Sequence, residues 1–283
     1  MAALDDRLAA LDASLAPLPR VLVAFSGGVD SGTLLAAAVR VLGADRVVAA
    51  TAVSPSLPAA ERAGAAAFAA SLGVRHEEPR TDELAREGYR ANGGDRCAFC
   101  KTELMDVLVP LAAGLGIREV VTGTNADDLR AGFRPGIRAA AERGAWAPLA
   151  CAGLTKDDVR AAARRWGLSV ADKPAAACLA SRIAYGVPVS AQRLARVEAA
   201  EAALRAALAD AGLPVRDLRV RDLGPVGGAD TARVEVDAAR VAALSARPEL
   251  LAAVTGFDRV EVDPRGFRSG SMNELLPDPV RYR

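Results

Sequence analysis

Apolar positions along this chain recur in two patterns, one helical and one extended. Leu4, Leu8, Leu11 and Leu15 are three or four residues apart, which predicts a short amphipathic helix. Val21-Leu22-Val23-Ala24-Phe25 is an unbroken apolar run between Pro19-Arg20 and Ser26-Gly27-Gly28, the pattern of a strand buried on both faces. An Ala- and Leu-rich helix is expected over residues 32–42, a strand over 47–53, and a helix over 58–72 with Pro58 at its first turn. Residues 74–77 predict a third strand, 102–115 a helix, and 119–122 a further strand running into Gly123. This alternation predicts an α/β fold built on a doubly wound parallel sheet.

Thr155, with Asp158 three residues on, is a helix-start signal for a segment reaching about Trp166. The pattern changes over residues 174–188. Beyond it lie a long charged helix (190–211), two stretches of alternating polarity (215–220 and 232–236), a helix over 237–244 and a last strand over 257–262. The expected organisation is a first domain over residues 1–181 and a second, smaller α/β domain over 182–283.

Composition limits what such a fold can do. The 283 residues are 51% hydrophobic and 25% charged, which is too apolar for a disordered chain. The formal net charge of +1 argues against a nucleic-acid backbone as the main partner. The longest charge-free stretch, residues 47–60, contains two prolines, so no membrane span is expected. The first residues lack the pattern of a secretion signal, and a cytoplasmic location is the expectation. The single histidine, His76, removes multi-histidine metal sites and most Ser-His-Asp hydrolases. Four cysteines are too few for a disulfide scaffold and suit metal ligands, thiol chemistry or core filling. Lysine is scarce: Lys101, Lys156 and Lys173 stand against 33 arginines. Where arginine has replaced lysine so widely, each surviving lysine marks a place where a compact ammonium is needed.

Ser26-Gly27-Gly28-Val29-Asp30-Ser31 lies between the first strand and its helix. Glycines there let backbone amides approach a phosphate, and the helix N-terminus favours an anion. Ser26 and Ser31 add hydroxyls, and Asp30 suits a magnesium ion. The run is neither a Walker A loop nor a Gly-x-Gly-x-x-Gly turn. It resembles the loop of the PP-loop ATP pyrophosphatases, which cleave ATP to AMP and pyrophosphate and adenylate an oxygen of the substrate. That resemblance implies ATP held by Ser26, Gly27, Gly28, Asp30 and Ser31. It also places Gly123 and Asn125 of Gly123-Thr124-Asn125-Ala126-Asp127-Asp128 in a second nucleotide-facing loop, with Asp127 and Asp128 either holding metal or merely solvated.

Cys97-Ala98-Phe99-Cys100 is followed by Lys101, and a third thiol stands in Ala177-Cys178-Leu179-Ala180-Ser181-Arg182. Three thiols are one short of a tetrahedral zinc site but enough for an iron–sulfur cluster with one open iron. Cys151, in an apolar run, is expected to be a buried small hydrophobe, and His76 a core residue. Asp95-Arg96-Cys97, Arg134-Pro135-Gly136, Gly153-Leu154-Thr155-Lys156, Asp172-Lys173-Pro174, Cys178 to Gly186, Arg219-Val220-Arg221, Ala232 to Glu235 and Gly270-Ser271-Met272-Asn273 fall in an order similar to that of the LarE family. That family comprises ATP-dependent sulfur transferases of nickel-pincer cofactor biosynthesis, the cofactor of lactate racemase.

The resemblance, which spans nearly the whole chain, implies adenylation of the carboxylates of pyridinium-3,5-biscarboxylic acid mononucleotide and their conversion to thiocarboxylates. Its implied cofactors are ATP, Mg2+ and a [4Fe–4S] cluster on Cys97, Cys100 and Cys178. In the family's other variant, Cys178 surrenders its own sulfur. The three thiols favour the cluster variant, and Cys178 is central to both. For the substrate phosphate, Arg219 and Arg221 share one face of a strand, and Arg182 is a further candidate. Glu201 and Glu235 match acidic positions near the family's sulfur centre, which makes them candidate metal ligands, while Glu201's place on a highly charged helix also suits a surface role. The expected partners are a small-molecule nucleotide and a sulfide donor, with neither nucleic acid nor membrane, and a homo-oligomer is expected. The competing readings are a PP-loop tRNA thiolase, which calls for a basic RNA surface, and a non-catalytic scaffold that keeps a degenerate nucleotide fold.

Overall fold

The computed structural model describes residues 2–130, 135–174, 177–268 and 270–275. Arg134, and with it part of the Arg134-Pro135-Gly136 motif, lies outside the described residues. The helices are α1 (Ala2–Leu15), α2 (Val29–Leu42), α3 (Ala59–Ser71), α4 (Glu87–Arg90), α5 (Arg96–Gly114) and α6 (Ala126–Arg130). They continue with α7 (Pro135–Ala141), α8 (Pro148–Cys151), α9 (Lys156–Arg165), α10 (Ala191–Asp210) and α11 (Val241–Ser245). The strands are β1 (Val21–Ala24), β2 (Val47–Ala50), β3 (Arg75–Glu77), β4 (Glu119–Thr122), β5 (Leu218–Val226), β6 (Ala229–Val236) and β7 (Arg259–Val262). The chain divides into two compact units, Met1–Glu83 with Cys97–Ala176, and Leu84–Arg96 with Ala177–Tyr282.

The first unit is the doubly wound α/β fold that the sequence predicts. Its sheet runs β3-β2-β1-β4, all parallel. Along β1, Val21 and Val23 pack with α1, α2, α3 and α9, while Leu22 packs with Met105 and Leu108 of α5 on the opposite face. Helices thus cover both faces, and the central strands β1 and β2 are apolar at every position, whereas the edge strand β3 is Arg75-His76-Glu77. β2 stops at Ala50, short of the expected residue 53, and Thr51 instead donates its hydroxyl to the Phe25 carbonyl at 2.8 Å. The strand order reverses between β1 and β4, where ligands bind in open α/β sheets.

The second unit is built on β5-β6-β7, with β5 and β6 antiparallel and β6 and β7 parallel. Leu204 and Leu208 of α10 pack with Leu218, Val220, Val234 and Val236 into its core. β5 begins later than expected and runs through Gly224 and Pro225, because a register shift between Asp222 and Pro225 absorbs the proline, which has no amide to donate. Residues 237–244 form a 3-10 turn (Ala238–Arg240) and then α11. Among the described residues no helix is long and apolar enough to cross a membrane.

Candidate functional site

At the end of β1 the chain turns through residues 25–28 into α2. Gly27 has φ +73°, a conformation that L side chains rarely adopt, and a Cβ there would lie 3.1 Å from that of Ala65. Gly28 is the N-cap of α2, and no side chain caps the helix. Its first-turn amides are therefore open to an external acceptor. The Ser31 hydroxyl accepts from the Ser26 amide at 3.2 Å, lies 3.1 Å from the Ser26 hydroxyl, and donates to the Gly28 carbonyl at 3.3 Å. The loop is thus tied to its own helix. Gly123, at the end of β4, packs so tightly here that an added Cβ would fall 2.6 Å from the Ser31 amide nitrogen.

Charge gathers around this loop. Asp30, in the first turn of α2, accepts at Oδ2 from Lys156 Nζ and at Oδ1 from the Asn125 amide at 3.1 Å. Asn125 is buried, and its own Oδ1 accepts from the Asp127 and Asp128 amides at 3.0 and 3.1 Å. Lys173 Nζ donates to the Gly27 carbonyl at 2.9 Å and pairs with Glu61 Oε2 at 2.7 Å. Ser26, Gly27, Gly28, Asp30, Ser31, Gly123 and Asn125 therefore form one cluster. Lys156 and Lys173 are the additions, and their rarity was the signal that could have assigned them to the site. Asp127 and Asp128 turn their carboxylates to local amides: Asp127 accepts from the Lys156 amide at 2.8 Å and Asp128 from the Asn125 amide at 3.3 Å.

In the second unit a 3-10 turn (Leu179–Arg182) follows Cys178. Arg182 is buried and fully engaged. Its Nε and Nη2 donate to Glu201 at 2.9 and 3.2 Å, while Nη1 donates to the carbonyls of Ala177 and of Cys178, the latter at 3.0 Å. Arg182 thereby fixes the backbone that carries the Cys178 thiol. Glu201 also accepts the Val220 amide at 3.1 Å. Arg219 and Arg221 share one face of β5, and both are buried. Arg221 donates through Nε and Nη2 to Glu235 Oε2 at 3.0 and 2.7 Å, and Nη2 also reaches the Ser271 hydroxyl at 3.2 Å. Ser271 in turn donates to Glu235 Oε1 at 2.8 Å. Glu201 and Glu235, expected near metal, are thus partners of arginine here.

Arg219 donates to the Leu218 carbonyl at 2.7 Å, and its guanidinium stands 5.1 Å from the centre of the Phe267 ring. Burial, and then the neighbouring cation of Arg182, holds the Arg219 guanidinium below its usual value, against the pull of Glu201. Arg182, Arg219 and Arg221 thus bring three buried guanidinium groups into this unit, and such groups suit an anion. Sequence reasoning missed Asn92 and Arg96 as supports of this loop. The Asn92 amide donates to the Ala184 and Val187 carbonyls at 2.8 and 2.7 Å, and Arg96 donates to the Ala180 carbonyl at 2.8 Å.

Cys97 is exposed and Cys100 half-buried, three residues apart near the start of α5, so they share a helix face. Cys178 is exposed. Soft thiolates so presented suit iron or an iron–sulfur cluster, whereas the hard carboxylate of Asp30 suits magnesium. Among the described residues no three His, Cys, Asp or Glu side chains converge as a ready-made metal site. One expectation is corrected. Cys151 is exposed, because α8 is a single turn that buries Leu149, and the Trp146 indole donates to the Cys151 sulfur at 3.3 Å. His76 is half-buried on the edge strand β3, 2.8 Å from the Thr51 hydroxyl.

No family model matches the chain. It is 40% identical over 278 residues to an uncharacterised protein of Synechocystis sp., covering 96% of this chain and 99% of that one. It is 35% identical over 279 residues to the pyridinium-3,5-bisthiocarboxylic acid mononucleotide synthase of Lactiplantibacillus plantarum, covering 98% and 97% of the two chains.

Proposed function

We propose a function for this chain from the premise that it belongs to the LarE family, the pyridinium-3,5-bisthiocarboxylic acid mononucleotide synthases. It is an ATP-dependent sulfur transferase that makes thiocarboxylates for a nickel-pincer cofactor. The observation that carries the ATP part is the uncapped N-terminus of α2, flanked by Lys156 and Lys173.

In this reading the first-turn amides of α2 and the two ammonium groups bind the triphosphate, and Ser31 keeps the loop in shape. A carboxylate oxygen of the pyridinium mononucleotide attacks the α-phosphorus and pyrophosphate leaves, giving an acyl adenylate. Sulfide then attacks the acyl carbon, and AMP departs with the carbonyl–oxygen bond's electron pair. Magnesium, when bound at Asp30, neutralises phosphate charge in the departing pyrophosphate. The buried arginines Arg219 and Arg221 bind the mononucleotide's phosphate, while Arg182, already occupied by Glu201 and the Cys178 backbone, orients the thiol. Cys97, Cys100 and Cys178 would hold the cluster, which supplies sulfide when bound.

A second reading is favoured by the exposed thiol of Cys178. In it, Cys178 sulfur attacks the acyl carbon and displaces AMP to give a thioester. Removal of the Cys178 Cα proton then breaks the Cβ–S bond, expelling the thiocarboxylate and leaving dehydroalanine in the chain. The test is anaerobic incubation with ATP, Mg2+, the biscarboxylic mononucleotide and sulfide. AMP, pyrophosphate and a thiocarboxylate product are expected. Formation of ADP, or AMP formation independent of the mononucleotide, would sink the assignment. Iron and labile sulfide lost on Cys97→Ala support the cluster. A protein mass decrease of one hydrogen sulfide per turnover supports sacrifice.

A further inference from the structure

We propose that Lys156 is an internal substitute for the metal ion at Asp30, so that a divalent cation binds at the phosphate loop only together with ATP. This rests on the reading of the loop as an ATP site and concerns its regulation. The Lys156 ammonium occupies Asp30 Oδ2, while Asn125 holds Oδ1 at 3.1 Å. Both oxygens that would meet a metal are therefore engaged.

The position of Lys156 is unfavourable on local grounds. It is the first residue of α9, after the N-cap Thr155, where a cation opposes the helix dipole, and Asp157 and Asp158 follow in the usual acidic pattern. The Lys156 amide is held by Asp127, which fixes where the side chain starts. In a chain with three lysines, a second one meets the same loop from the other side: Lys173 pairs with Glu61 and the Gly27 carbonyl. The loop is thus charge-balanced by two lysine–carboxylate pairs.

Each ligand alone meets a penalty at such a site. A metal ion arriving alone must displace the ammonium and leave it beside a new cation. A triphosphate arriving alone draws Lys156 away and faces the uncovered Asp30 carboxylate. Arriving together, the metal takes Asp30 and a phosphate oxygen takes Lys156, so no charge is left uncompensated. Side-chain exposures of 36% for Lys156 and 24% for Asp30 mean the pair is open enough to exchange. The result is reciprocal coupling between nucleotide and metal.

The experiment measures Mn2+ binding to the full chain by equilibrium dialysis and electron paramagnetic resonance, with and without ATP. Wild type is expected to bind Mn2+ weakly alone and on the order of 10-fold or more tightly with ATP, as coupled sites do. Lys156→Met should bind Mn2+ tightly without nucleotide, Asp30→Asn in that background should abolish the gain, and Lys156→Arg should restore weak binding. Equal Mn2+ affinity of wild type with and without ATP overturns the proposal, as does a Lys156→Met chain no tighter than wild type or a gain that survives Asp30→Asn. If ATP binds wild type neither with nor without Mn2+, the ATP reading itself fails.

Discussion

A methyl group added at position 123 would meet the first turn of α2, 2.6 Å from the Ser31 nitrogen and 2.8 Å from its Cα. Both are backbone atoms, so neither can swing away. Gly123→Ala is expected to cost about 1–3 kcal/mol, the usual range for overpacking, read as a lower urea midpoint. Gly28→Ala is the contrast, since its Cβ would have only the Ser26 hydroxyl within 4 Å, at 3.6 Å. That variant should keep its midpoint while its affinity for ATP falls, because the methyl would stand at the N-cap beside the α2 amides proposed to bind the triphosphate. Equal losses of stability in the two would show that the glycines do not divide into a packing role and a binding role. At His76, burial lowers the imidazole pKa below its ordinary 6.5, against the pull of Glu78 and Glu77. The unfolded chain therefore binds this proton more readily than the folded one. The stabilisation is present above pH 6.5 and fades as pH falls below it. Melting curves should show wild type losing more stability than His76→Gln on acidification, and parallel losses would refute this.

Short elements carry the loop that bears Cys178. Asn92, at the end of α4, is fully buried with φ +56°, and its amide donates to the carbonyls of residues 184 and 187. Asn92→Ala removes these donors and places an alanine in the left-handed region. We expect a loss of about 2–4 kcal/mol, combining unsatisfied buried acceptors with backbone strain. Asn92→Gly, which tolerates the conformation, should lose less, and both should speed alkylation of Cys178 by iodoacetamide. An unchanged alkylation rate would mean the loop does not depend on this staple. None of this was legible in the sequence. Residues 84–96 join the second unit through hydrogen bonds to partners about ninety positions away, and no local pattern encodes them. By contrast, β1 and β2 were legible because a strand covered on both faces must be apolar throughout. α5 began earlier than periodicity suggested, since Cys97, Phe99 and Cys100 carry no clear polar alternation. Lys156 and Lys173 stood out by scarcity, but their meeting with Asp30 and Gly27 depends on the fold of the whole first unit.

Charge balance over the whole molecule separates a small-nucleotide acceptor from an RNA one. Among the described residues many arginines pair with carboxylates: Arg62 with Glu78, Arg143 with Asp106, Arg164 with Asp172, Arg196 with Asp222 and Asp230, Arg233 with Glu261. Each such pair already neutralises its arginine, and the net charge of +1 adds no long-range attraction for a polyanion. An RNA-binding thiolase that contacts roughly 6–10 phosphates would show steeply salt-dependent affinity, falling about 1,000-fold or more between low and moderate salt. This chain is therefore expected to bind transfer RNA no better than random RNA at any salt concentration, and RNA should not stimulate AMP release. The pyridinium mononucleotide should stimulate it, and Arg221→Met should abolish that response by removing the cation proposed to bind its phosphate and leaving Glu235 buried without it. Because Arg221→Met also threatens the fold, Arg219→Lys is the companion variant. Arg219 donates to the Leu218 carbonyl, and a lysine there, which keeps the positive charge, should raise the KM for the mononucleotide while sparing the melting temperature. AMP release driven by transfer RNA, or a mononucleotide KM indifferent to Arg219→Lys, would move the acceptor assignment to RNA or away from β5.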